Sequence, residues 1–164
     1  MKEIYIRKYN RLMDYDYSQG GVYFITICAK EKAALFGTIT GEANFVRQKL
    51  SDIGIIIDNE IKGISNIYEN VEIEAYVIMP NHIHMLIVLK SDGQTQFAPS
   101  ISRIVKQFKG AITKRIGTSI WHKSFYDHII RDEIDFIKYL QFLEADPANW
   151  LDDEYYVPNN NSES

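Results

Sequence analysis

His82-Ile83-His84 is the tripeptide with the clearest chemical content in this chain. Residues i and i+2 of a β-strand project from one face, about 6.6 Å apart along the strand, and the residue between them faces the other way. Two imidazoles side by side on a sheet are a common way to hold a divalent metal. Two ligands do not complete a site, so a third must come from elsewhere in the chain. The same spacing also arises by chance on solvated strands. Zinc would want further histidine or cysteine ligands. The chain offers only His122, His128 and Cys28 besides the pair, and none stands at a familiar zinc spacing. A metal hydrolase using the pair would need a general base, and none is visible at a suitable distance in sequence.

The elements that must position the pair follow from hydrophobic periodicity. Val22 to Cys28 is β-branched and aromatic, the composition of a buried strand. Phe36 to Ile39 suggests a short edge strand or hairpin. From Asn44 to Ile64, Phe45, Leu50, Ile53, Ile56, Ile57 and Ile61 fall at helical spacings, although Gly54 weakens that helix locally. Val71 to Ile78 reads as a second strand and His82 to Leu89 as a third, close enough to pair as an antiparallel hairpin across Met79-Pro80-Asn81. Ser91 to Ser100 reads as a loop. Ser100 to Ile116 is a helix with Ile101, Ile104, Val105, Phe108 and Ile112 on one face. Ser124 to Ile130 is a fourth strand. Asp132 to Ala145 is a helix capped by Asp132 and ended by Asp146 before Pro147. These elements predict an α+β fold, an antiparallel sheet with helices packed on one face.

Bulk properties set outer bounds. The chain has 164 residues, 46% of them apolar, which suits one domain with one core, here residues 1–155. The polar, tyrosine-rich residues 1–19 read as an irregular lead-in. The acidic stretch from Asp152, and residues 156–164 in particular, read as a frayed tail. The lone Cys28 reads as a small core residue and cannot form an internal disulfide. No stretch reaches the length of a membrane span, and the first residues lack a signal-peptide pattern, so a cytoplasmic protein is the default. The net charge of −4 argues against wholesale electrostatic capture of nucleic acid and leaves room for a local basic face.

The stretch Tyr76-Val77-Ile78-Met79-Pro80-Asn81-His82-Ile83-His84 resembles the signature of the single-tyrosine HUH transposases, the REP-associated tyrosine transposases and their IS200-like relatives. The resemblance extends along the chain in order. Tyr15 to Cys28 is similar to the family's amino-terminal block, and Leu35-Phe36-Gly37 to its continuation. Ile104 to Lys109 is similar to its basic helix. Trp121 and Tyr126 to Arg131 match the block before the catalytic helix, and Asp146-Pro147-Ala148-Asn149-Trp150 the segment that ends it. The resemblance implies a ferredoxin-like palm. It also implies a divalent cation, Mg²⁺ or Mn²⁺, bound by His82, His84 and a polar residue on the last helix, here Asp146. A tyrosine on that helix would attack a DNA phosphodiester, forming a 5′-phosphotyrosine and releasing a 3′-hydroxyl that can rejoin another strand. Relatives act on single-stranded or hairpin DNA. Some are monomers and others dimers, so a homodimer is among the implied states.

The family's tyrosine stands four residues before its asparagine. Here that pattern reads Phe142-Leu143-Glu144-Ala145-Asp146-Pro147, with phenylalanine where the nucleophile belongs. A carboxylate at Asp146 suits a hard cation. Phe142 has no hydroxyl. Tyr139 is the substitute in reach of the register, but it lies about 10 Å from Asp146 along the helix, against about 6 Å for Phe142. Three accounts follow: a relative that binds without cutting, a deliberate Tyr→Phe change, or a register shifted by one turn. For the DNA itself, Lys106, Lys109 and Lys114 are candidate phosphate contacts, as is Arg131 at the start of the last helix. Trp121 is a candidate for base stacking. A solvated helix face and a core tryptophan are the ordinary alternatives.

Overall fold

The computed structural model describes residues 5–6, 21–41, 45–90 and 99–158. The lead-in apart from Tyr5–Ile6, most of the Ser91–Ser100 loop and residues 159–164 lie outside the described residues. In chain order the elements are β1 (Tyr5–Ile6), β2 (Gly21–Ala29), β3 (Gly37–Thr40), β4 (Arg47–Leu50), α1 (Asp52–Ile67), β5 (Val71–Met79), β6 (His82–Leu89), α2 (Ile101–Ile116), β7 (Trp121–Ile129) and α3 (Glu133–Ala145). A 3₁₀ segment, Pro147–Asp152, follows α3.

The main sheet runs β1-β5-β6-β2-β7, and every neighbouring pair is antiparallel. Strands β5 and β6 form the expected hairpin, with Met79 opposite His82 across Pro80-Asn81. Proline suits that corner because its fixed φ pre-sets a turn and its missing N–H is not needed in a ladder. Two further contacts hold the corner: Phe36 N–H donates to Pro80 O at 2.9 Å and Ala29 N–H to Asn81 O at 2.9 Å. The four long strands and the crossovers through α1 and α2 give the ferredoxin-like arrangement that the sequence implies.

Side-chain alternation divides the core in two. Ile25, Ile27, Ile83, Met85 and Ile87 face α1 and α2. Phe24, Val77, Leu86 and Val88 face the other way, onto Phe136, Leu140 and Leu143 of α3. Those three α3 residues fall at i, i+4 and i+7, the stripe a helix needs to bury one side. The expected single helical layer is therefore α1 and α2 alone, and α3 covers the opposite face. His82 and His84 share the α3 face because Ile83 between them belongs to the other one.

The expected helix over Asn44 to Ile64 divides differently. Arg47–Leu50 is a strand paired with Gly37–Thr40, and the helix begins only at Asp52. Ser51 supplies the N-cap, accepting the Gly54 N–H at 3.0 Å. Phe45, counted as an apolar helix position, is 83% exposed. The fourth strand likewise begins at Trp121 rather than Ser124, because Trp121 pairs with Ala29 beyond a bulge that places the extra residues on β7.

Gly54 sits inside the first turn of α1 because backbone lies directly against it. A Cβ there would come within 2.1 Å of the Phe36 carbonyl oxygen. Alanine would gain about 1 kcal/mol of helix propensity. Forcing the helix off Phe36 costs about 1–3 kcal/mol, and backbone cannot rotate away as a side chain can. The expected result for Gly54→Ala is a net loss of stability, read as a lower urea midpoint at unchanged slope.

Candidate metal centre

β6 delivers the two imidazoles, and their neighbours fix how each ring is turned. The ring centroids are 4.7 Å apart. His82 Nδ1 lies 2.8 Å from Asn81 Oδ1. The Asn81 amide nitrogen donates to Tyr155 O at 2.7 Å and to Lys32 O at 3.2 Å, so its oxygen must face His82. Nδ1 therefore carries the proton, and His82 Nε2 keeps a free lone pair. His84 Nδ1 meets Thr26 Oγ1 at 2.8 Å, which directs its Nε2 the same way. Such partners set the orientation and basicity of metal-binding histidines. Burial, with His84 beside it, holds His82 well below the ordinary histidine range, so the ring is neutral and able to ligate.

α3 ends with Asp146 against both rings. Asp146 Oδ2 is 3.3 Å from His84 Nε2 and 4.0 Å from His82 Nε2. The ligand atoms of His82, His84 and Asp146 all lie within 4.8 Å of one another, and all three residues are buried. His82 Nε2 and Asp146 Oδ2 are buried and have no hydrogen-bond partner. Orphaned buried polar atoms of this kind are costly. Donors bonded at about 2.1 Å to one cation stand roughly 3.0–4.2 Å apart, depending on whether they are adjacent or opposite. The two carboxylate–imidazole separations and the unmet valences fit a divalent cation, and the mixture of imidazole and carboxylate donors suits a metal of intermediate hardness.

The sequence gives little sign of Asp153, which was grouped with an acidic tail. Its side chain is 7% exposed beside the site, with Oδ2 3.6 Å from His82 Nε2. Burial and the neighbouring Asp146 push its carboxyl up to about 6. The described part of this stretch packs against the site and the core. Trp150 is buried 6.2 Å from the His82 ring, Tyr155 lies 4.6 Å from it, and Val157 packs on the α3 side of the core. Thr26, Asn81 and Tyr155 also escaped the sequence reading, since none of them carries a ligand or nucleophile signal by type.

Phe142 stands beside the centre. Its ring is 5.4 Å from that of His84 and 5.9 Å from that of Phe24, and it is 47% exposed. With His84, Asp146, Asn149 and the segment 152–155 it lines a shallow pocket of about 190 Å³. Tyr139 does not reach the histidine pair. Its ring packs 4.6 Å from Phe24 and 4.7 Å from His128, and Phe24 itself stacks on His84. Burial, with Cys28 nearby, raises the Tyr155 pKa far above the usual range, which disfavours the nucleophilic anion. Cys28 is buried, as a core cysteine should be.

The residues read as DNA contacts do not gather here. α2 packs on the sheet face opposite the imidazoles, so exposed Lys106 and Lys114 lie on the far side from the centre. Lys109 donates to His122 O at 2.9 Å and Ser124 O at 3.2 Å, which fastens α2 to β7. Trp121 is 5% exposed, with its ring against Phe36 and Phe108 and its Nε1–H donating to Lys109 O. A ring enclosed in this way has no free face for a base, so the stacking assignment gives way to the core one. Arg131 is exposed on the correct side of the sheet, but at the start of α3, about 20 Å along the helix from Asp146.

Comparisons with known proteins show the family and the fold. An uncharacterised protein of Haemophilus influenzae is 30% identical over 94% of this chain and 95% of its own length. The REP-associated tyrosine transposase of Escherichia coli K12 is 30% identical over 47% of this chain and 44% of its own length. A REP-associated tyrosine transposase solved bound to a REP hairpin superposes with a TM-score of 0.61, at 20% identity over 80% of this chain and 68% of that one. The family profile described as "Transposase IS200 like" matches residues 23–132, from the first long strand to the cap of α3, and by that match this chain belongs to the IS200-like transposase family.

Proposed function

We propose that this chain binds single-stranded or hairpin DNA at a divalent-metal centre of His82, His84 and Asp146, and that it lacks the hydroxyl needed to cut the strand there. The observation that carries this is the placement of Phe142, with its exposed ring 5.4 Å from His84 and the nearest helical tyrosine, Tyr139, turned behind Phe24. A bound Mg²⁺ or Mn²⁺ would polarise a phosphate oxygen and offset its charge. The chain's own groups do the rest. The imidazoles present nitrogen donors, Asp146 a carboxylate oxygen, and the half-exposed Phe142 ring offers a surface for a base. Asp152, Asp153 and Glu154 line the same pocket, so a phosphate approaching it meets acidic groups. DNA binding at this place should therefore depend on the cation.

The intact ligand set supports a second reading, strand nicking and joining through another hydroxyl. In that reaction an oxygen nucleophile bonds to phosphorus, the bond from phosphorus to the 3′ oxygen breaks, and that oxygen takes a proton. An assay on labelled hairpin DNA with Mn²⁺ or Mg²⁺ separates the two. We expect a shifted complex that is lost with chelator, and no covalent protein–DNA band under denaturing conditions. A metal-dependent covalent band would establish the nicking reading. No shift with or without metal would contradict both.

A further inference from the structure

We propose that Asp153 is a fourth protein ligand of the centre, so that the cation is held by two histidines and two aspartates. This rests on the metal reading above and adds to it a residue that no motif assigns. The placement is specific. Asp153 Oδ1 accepts the Tyr155 N–H at 2.8 Å, and Asp153 N–H donates to Trp150 O at 3.0 Å. With one carboxylate oxygen and the amide engaged, Oδ2 faces His82 Nε2 at 3.6 Å. That imidazole nitrogen is fully buried and has no hydrogen-bond partner. The segment is secured at both ends, by buried Trp150 and by the Asn81 amide, which donates to Tyr155 O at 2.7 Å. Asn81 thus orients one ligand, His82, and anchors the strand of chain that carries another.

Charge points the same way. Asp146 Oδ2 and Asp153 Oδ2 converge on the same His82 Nε2, at 4.0 and 3.6 Å, with side chains 4% and 7% exposed. Two carboxylates brought together out of water repel unless a cation or a shared proton lies between them. As ligands, two aspartate carboxylates supply two negative charges, which a divalent ion cancels. A three-ligand centre would leave one positive charge in the protein. A four-ligand centre is neutral before any phosphate arrives, so it should retain its metal in the absence of DNA.

The test is calorimetric titration of Mn²⁺ into the metal-stripped full chain. The arms are the unaltered protein, Asp153→Asn, Asp153→Ala, His82→Ala, and Glu144→Gln as a control for loss of one exposed negative charge. We expect Asp153→Ala to weaken Mn²⁺ binding at least as much as losing an outer-shell partner does, about 10- to 100-fold. Asp153→Asn should fall between, and Glu144→Gln should match the unaltered protein. Circular dichroism checks each fold, and if Asp153→Ala unfolds, the near-isosteric Asp153→Asn decides. Equal affinity in the unaltered and Asp153 variants, with binding lost in His82→Ala, would overturn the fourth ligand and leave the three-residue centre standing. No Mn²⁺ binding by the unaltered protein would overturn both.

Discussion

Phe142→Tyr should turn this chain into one that becomes covalently joined to DNA. The altered ring occupies a position already 47% exposed and 5.4 Å from the His84 ring, so the added hydroxyl meets solvent and the centre rather than core. The fold should accept it at little cost. A tyrosine hydroxyl beside a cation is a usable nucleophile because the neighbouring positive charge favours its anion. Deleting the nucleophile of a well-studied hydrolase costs on the order of 10⁶-fold, so supplying one should raise activity from background to an easily measured level. The readout is a metal-dependent covalent band on labelled hairpin DNA, absent from Phe142→Tyr combined with His84→Ala. If Phe142→Tyr binds DNA and metal yet forms no band, the assignment of position 142 as the nucleophile position is wrong.

Mn²⁺ should raise the unfolding temperature of this protein substantially, and Asp146→Ala should erase the rise. The physical basis is the pair of buried orphaned atoms, His82 Nε2 and Asp146 Oδ2, whose unmet valences a cation satisfies. A ligand that binds only the folded state adds about 2.7 kcal/mol at one hundred times its dissociation constant. For a chain of this size each kcal/mol corresponds to about 2–4 °C, so the expected rise is about 5–10 °C. Removing one partner of a buried charged cluster leaves the others worse placed. Asp146 is itself repelled by Asp153, however, so Asp146→Ala should cost the metal-free protein little while abolishing its response to metal. Scanning calorimetry with and without Mn²⁺ checks both parts, and an equal rise in Asp146→Ala would mean that the ion stabilises from somewhere else.

What the sequence made legible depends on whether the deciding interaction is local. Alternation around Ile83 placed both imidazoles on one face, and the proline corner placed β5 against β6, because strand period and proline chemistry act over a few residues. Asp146 came only through the family resemblance, whose asparagine–proline pattern it matches beside Pro147. Residues 47–50 were misread because four residues are too few to show a period-two pattern, and Ser51, the true start of α1, lies in the middle of the apparent helical spacing. The basic helix was legible as basic. Its side of the sheet was not, because that is fixed by which face of β2 and β6 its apolar stripe meets. Trp121 carries a type found more often in a core than against a base, and the neighbours that decide it, Phe36 and Phe108, come from distant segments. Asp153 was hidden for the same reason. Its value comes from a turn after Pro147 that returns the chain to His82, and acidic composition alone suggests only solvent.

Anomalous diffraction from crystals grown with Mn²⁺ tests the central claim most directly. One strong peak is expected within about 2.0–2.3 Å of His82 Nε2, His84 Nε2 and an Asp146 carboxylate oxygen. A crystal that shows both imidazoles without an ion between them at saturating Mn²⁺, or with the ion bound elsewhere, would contradict it.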